Sequence, residues 1–112
     1  MAKKEILKVV TESGSTYRID AQDLNDGRHA RYTLRTKEGL FEIILFSQSK
    51  LSDYQKEQIR NHKPTYLPKK ELRVGVCINA VNHEGRGVYT GRIVKIFKKT
   101  GLFKWQEIRS DE

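Results

Sequence analysis

Two runs of strict period-two alternation constrain this chain more than any other feature of it. In RHARYTLRT (28–36), Ala30, Tyr32 and Leu34 face one way, and His29, Arg31, Thr33, Arg35 and then Lys37 face the other. In ELRVGVCINAV (71–81), Leu72, Val74, Val76, Ile78 and Ala80 alternate with Arg73, Gly75, Cys77 and Asn79. A helix cannot collect such a set on one face, whereas a strand with one buried side does so automatically. The segments around them obey the same logic. EILKVVT (5–11) runs through Ser13-Gly14 into STYRI (15–19) and reads as a hairpin. LFEIILF (40–46) is apolar in both phases, as a central strand would be. VYTGRIVKIFK (88–98) reads as one long strand with a bulge at Gly91, and Lys99-Thr100-Gly101 turns it into LFKWQEI (102–108).

Turn residues punctuate these strands. DAQDLNDG (20–27) is expected to be loop throughout, and NHEGRG (82–87) a turn. One helix start is visible: Ser52 and Gln55 have the spacing of a capping box, with Asp53 in the first turn. Tyr54, Ile59 and Leu51 would form its narrow apolar stripe, and Pro64 and Pro68 end it near Asn61-His62. The expectation is a mostly β protein: a small antiparallel β-barrel or open sandwich, SH3-like or OB-like, of about seven strands with one short helix near 52–62. At 112 residues the chain forms one domain, 1–112, around a single core.

Charge narrows the function classes. The net charge is +8, and it is uneven: residues 1–51 hold 9 Lys+Arg against 7 Asp+Glu, and residues 52–112 hold 13 against 7. From Gly85 to Gln106 there is no acidic residue, while Arg86, Arg92, Lys95, Lys98, Lys99 and Lys104 all fall in that run. Tyr89, Phe97, Phe103 and Trp105 are interleaved with them, and Tyr89 and Trp105 have polar tips that favour partial exposure. Clustered cations bind polyanions by releasing counterions, and neighbouring rings can stack on unpaired bases. The outward stripe of His29, Arg31, Arg35 and Lys37 is a second candidate track, its members about 6.5–7 Å apart, close to the phosphate spacing along one strand. Its bland reading is a solvated face paired with Glu42 and Glu12. A third basic segment, NHKPTYLPKK (61–70), holds His62, Lys63, Lys69 and Lys70 between two prolines, and as readily serves only as a crossover.

Residues 75–97, GVCINAVNHEGRGVYTGRIVKIF, resemble the KOW motif of SH3-like barrels found in ribosomal and transcription-elongation proteins. Gly75, Ile78, Gly87, Gly91, Ile93 and Ile96 stand near the motif's glycine and branched positions, with one inserted residue near Gly91. Where the motif has a lysine-rich turn, this chain has Asn82, His83 and Glu84. The resemblance implies an SH3-like barrel often associated with RNA.

Together these readings favour a non-enzymatic module that binds nucleic acid, RNA or single-stranded DNA, through its phosphate backbone. The proposed contacts are Arg86, Arg92, Lys95, Lys98, Lys99 and Lys104, with Arg31, Arg35 and Lys37 as the second track and Tyr89 and Trp105 stacking. The alternative is a protein-interaction module, a small accessory or inhibitor protein of a mobile element, that docks on an acidic partner or adds a strand at its sheet edge. Catalysis has little support: His29, His62 and His83 are scattered, and only His83, Glu84 and Arg86 suggest a ribonuclease-like set. No metal or cofactor is expected. Cys77 has no partner for a disulfide, and Ile6-Leu7 is too short for a secretory h-region. No stretch has the length of a membrane helix, so a cytoplasmic protein is expected.

Overall fold

The computed structural model describes residues 4–48, 52–55, 57 and 66–110. Nine strands form one sheet: β1 (Lys4–Thr11), β2 (Thr16–Asp23), β3 (His29–Thr36), β4 (Gly39–Ser47), β5 (Leu67–Pro68), β6 (Cys77–Val81), β7 (Gly87–Tyr89), β8 (Ile93–Gly101) and β9 (Lys104–Ser110). The main path runs β7-β6-β4-β3-β2-β1-β8-β9, and β5 pairs with the start of β3. Every pairing is antiparallel. The ladder is open, with β7 and β9 at its ends. It is nonetheless curled, because the chain just before β6 meets the start of β8: Gly75 N–H donates to Ile93 O at 2.8 Å and Ile93 N–H to Val76 O at 2.9 Å. The expected mostly β, antiparallel architecture is the one observed, as an open sheet of nine strands where about seven were expected.

One face of the sheet makes the core, and the alternation read from the sequence delivers it. Leu7 and Val9 of β1, Ile19 and Ala21 of β2, Ala30, Tyr32 and Leu34 of β3, and Phe41, Ile43 and Phe46 of β4 are all buried. Ile78 and Ala80 of β6 and Ile93 and Ile96 of β8 complete it, and the Tyr32 and Phe46 rings meet edge to face at 5.4 Å. Each fully buried side chain of this kind contributes about 1.5–3 kcal/mol relative to exposure. A register shift between Ile43 and Leu45 buries Ile44 as well, which accounts for the unbroken apolar run of the central strand.

Several expectations need correction. Residues 20–23 are strand, not loop: β2 continues to Asp23, and only the following turn uses Asp26 and Gly27. Two tertiary contacts oppose the low strand propensity of aspartate there, Asp20 with Arg35 at 3.0 Å and Asp23 with Lys69 at 2.8 Å, and Arg18 adds a contact to Asp20 within the strand. The stretch 71–81 is not one strand. Lys69–Glu71 form a 3-10 turn, Gly75 takes φ +97, and β6 starts at Cys77. Cys77 and Asn79, expected on the polar phase, are fully buried.

Gly91 marks a crossover and not a bulge. β7 ends at Tyr89, and the chain leaves β7 at one end of the ladder and enters β8 beside β1. Likewise β8 continues through Lys99-Thr100-Gly101, and Leu102-Phe103 form the turn. The capping box is present: Ser52 N–H donates to Gln55 Oε1 at 3.0 Å, and Gln55 N–H to Ser52 Oγ at 3.2 Å. Residues 53–55 and 57 are helical, while the remainder of the expected helix, with Ile59 and Leu51, lies outside the described residues, as do His62 and Lys63. Tyr54 is exposed. Among the described residues no helix is long and apolar enough to cross a membrane.

Candidate nucleic-acid interface

The side of the sheet opposite the core carries four of the nine candidate cations, Arg31, Arg35, Lys95 and Lys99, because the pleat sends alternate residues there. Along β8 this outward row is Lys95, Phe97 and Lys99. Register places Lys95 opposite Val10 and Phe97 opposite Lys8 on β1, and Lys99 opposite Trp105 on β9. Lys8 in turn lies opposite Arg18 on β2, and Arg18 opposite Arg35 on β3. β3 and β8 are three strand spacings apart, about 14 Å along the sheet. Arg31, Arg35, Lys95, Lys99 and Trp105 therefore share one continuous face.

At the centre of the β8–β9 end, Lys8 Nζ lies 4.6 Å from the Trp105 ring centre and 4.9 Å from that of Phe97. A cation over two rings is held in place by their quadrupoles at about 0.5–1 kcal/mol per exposed contact. Lys95 and Lys99 flank this cluster, and neither makes an ion pair with a described residue. One carboxylate, Glu107, stands opposite Phe97 on the same face. Beyond it the β8–β9 hairpin projects from the core. Leu102, Phe103, Trp105 and Ile108 are 77%, 87%, 36% and 45% exposed, so four of the exposed large apolar residues lie on this one arm. Phe103 also has φ +66, a left-handed conformation that a side chain enters at a cost of about 1–2 kcal/mol.

The β2–β3 part of the face is built differently. Asp20 accepts from Arg18 Nε at 3.2 Å and from Arg35 Nη2 at 3.0 Å, and Glu42 accepts from Arg31 Nε at 3.1 Å. Glu42 therefore serves as the expected neighbour of the stripe, and Asp20 takes the place expected for Glu12. These pairs surround a shallow depression of about 310 Å³ lined by Lys4, Arg18, Asp20, Gln22 and Arg31.

The remaining candidates lie apart. Lys98 is in the inward phase opposite Leu7, with Nζ 3.5 Å from Glu5 Oε1. Arg86 sits on the β6–β7 turn with Nη1 2.7 Å from Glu38 Oε2, and Lys37 stands beside it on the β3–β4 turn. Arg92 is exposed in the crossover before β8, and its carbonyl accepts from Glu12 N–H at 2.8 Å. Lys104 is exposed but alternates with Trp105 and so faces the other way. Tyr89 is half-buried, and its hydroxyl donates to Cys77 Sγ at 3.4 Å. That bond, followed by burial, raises the pKa of the phenol. The acid-free run of 85–106 is thus divided among several places. Lys8, the residue that organises the aromatic cluster, lies outside that run; no local signal links it to β8 and β9.

His83 Nε2 is 3.7 Å from Glu84 Oε1, and both side chains are exposed. His29 Nδ1 lies 2.8 Å from Asp26 Oδ2, and the Arg28 N–H, then the His29 ring, hold the Asp26 carboxyl below its usual range. Among the described residues no three His, Cys, Asp or Glu side chains are grouped to hold a metal ion. Comparison of the chain with protein-family models, with curated proteins and with solved structures finds no match.

Proposed function

We propose that this protein is a non-enzymatic nucleic-acid-binding module that grips the phosphate backbone of single strands, RNA or DNA, on the outward face of its sheet. The observation that carries the reading is the Lys8–Phe97–Trp105 cluster flanked by Lys95 and Lys99, which make no ion pair with a described residue. Phosphates would meet Lys8, Lys95 and Lys99, and unpaired bases would stack on Trp105 and Phe103. Arg31 and Arg35 extend the track once their exposed ion pairs open, a step that costs about 0–1 kcal/mol each. Duplexes bury their base faces, so stacking on the arm favours single strands. The resemblance of residues 75–97 to the KOW motif points the same way.

The test is a fluorescence-anisotropy titration with single-stranded RNA, single-stranded DNA and duplex DNA at two salt concentrations. Micromolar or tighter binding to the single strands is expected, falling steeply with salt, with the duplex weaker. Absence of binding at low salt would move the choice to the second reading, a module that docks on an acidic protein or adds a strand to its sheet. That reading is favoured by the free edge of β9 and by the exposed Leu102 and Ile108 on the same arm.

A further inference from the structure

At one end of the curled sheet, three segments far apart in the chain line a groove of about 560 Å³: residues 15–17, 35–38 and 86–88. Its floor is apolar and aromatic. Tyr17 and Val88 are inward residues at the limit of the core, packed against it but only partly covered. Its rim is basic, formed by Arg35, Lys37 and Arg86 with the single carboxylate Glu38 among them.

Both basic turns are fixed by their own side chains. Asn82 Oδ1 accepts from the N–H groups of Glu84 at 3.0 Å and Arg86 at 2.8 Å. Thr36 Oγ1 donates to Gly39 O and accepts from Glu38 N–H, each at 3.1 Å. Side-chain-to-backbone bonds of this kind hold a turn in one conformation. Arg86 and Lys37 are therefore carried on set positions. Lys37 makes no ion pair with a described residue.

We infer that this groove binds a nucleoside monophosphate, free or as the 5′-phosphorylated end of a single strand. The volume lies within the range of about 300–1,000 Å³ usual for small-molecule sites. A flat base fits the Tyr17–Val88 floor, and a dianionic phosphate fits between Lys37 and Arg86. Glu38 is a built-in competitor for that phosphate. Replacing its exposed pair with Arg86 by an arginine–phosphate contact exchanges a weak interaction for a bidentate one. The site is separate from the β8–β9 arm, so either can fail without the other.

The full chain titrated with adenosine 5′-monophosphate, adenosine and inorganic phosphate at equal ionic strength, followed by amide chemical shifts, tests this. The nucleotide is expected to shift residues 15–17, 35–38 and 86–88, and to bind about tenfold or more tighter than either fragment. Arg86→Gln is expected to weaken it about fivefold, and Glu38→Gln to tighten it about two- to fivefold, because the competing carboxylate is gone. Lys70→Gln, outside the groove, serves as the control for net charge. A 5′-phosphorylated oligonucleotide that outbinds its 5′-hydroxyl counterpart, with the advantage lost in Arg86→Gln, assigns the strand end. Equal binding of the two with nucleotide binding retained assigns the free nucleotide. The proposal is overturned if the nucleotide moves these amides no more than phosphate does. It also falls if Arg86→Gln and Lys37→Gln both leave the nucleotide affinity unchanged.

Discussion

The β2–β3 and β8–β9 parts of the outward face are both basic, but they hold their cations in opposite ways. On β2 and β3, Arg18, Arg31 and Arg35 are each bonded to Asp20 or Glu42. On β8, Lys95 and Lys99 make no ion pair with a described residue, and the nearby Lys8 is held by the Phe97 and Trp105 rings. A carboxylate neutralises the cation it orients, whereas a ring orients it and leaves the charge available to a phosphate. A cation's value as a ligand contact is thus set by what its neighbouring strand places opposite it.

The most damaging single change should be Trp105→Ala. Loss of one stacking ring is worth about 1–3 kcal/mol, so single-stranded RNA affinity should fall about tenfold or more. The ring is 36% exposed, so truncating its covered part also lowers the melting temperature, and affinity is read on the folded fraction; a collapse in stability with unchanged affinity of the folded fraction would make Trp105 structural. Next comes Phe103→Gly at the tip of the arm. Relief of the left-handed backbone should stabilise the fold by about 1 kcal/mol, while loss of the ring weakens binding severalfold. Denaturant midpoints and anisotropy together check the opposed signs; a variant that is more stable and binds as well would remove Phe103 from the interface.

Asp20→Asn sharpens the contrast from the other side. It frees Arg18 and Arg35, and affinity should rise about two- to threefold for a stability loss under about 1 kcal/mol. An unchanged affinity would mean that the β2–β3 face is solvated surface only. The smallest effect concerns Asp26, beyond the end of the stripe. Its carboxyl is held below the usual aspartate range in the folded chain, chiefly through the Arg28 N–H and then His29. A depressed carboxylate contributes stability above its unfolded pKa and loses it as pH falls through the folded one. Asp26→Asn should therefore narrow the stability difference from the parent below about pH 4, and leave a small deficit at neutral pH, measurable by denaturant titration across that range.

How much of this was legible in the sequence follows from where each signal resides. The inward sets Ala30–Tyr32–Leu34 and Ile78–Ala80 follow from alternation alone, and the face of Arg31 and Arg35 follows with them. From Asp20 onward β2 reads as a turn because aspartate signals one locally, while the partners that keep the strand going, Arg35 and Lys69, belong to distant segments. Lys8 was missed for the same reason: β1 and β8 are neighbours only in the folded sheet. Lys98 was grouped with Lys95 and Lys99 by proximity in sequence, yet it faces inward and is held by Glu5. The crossover at Thr90–Arg92 looks locally like a bulged strand, since both need a glycine and a break in phase.

The central claim is that the uncompensated cations of β1 and β8 carry the phosphate contacts. The measurement that tests it compares two charge-neutralised proteins, Lys8/Lys95/Lys99→Gln and Arg18/Arg31/Arg35→Gln, in anisotropy titrations of one single-stranded RNA across a salt series. Each set removes three positive charges, so net charge alone predicts equal losses. The account predicts that the lysine variant loses the larger part of the affinity and that its log–log salt slope falls by about two to three, against about one or less for the arginine variant. Equal losses, or binding by the unmodified protein that persists undiminished at about 0.5 M salt, would contradict it.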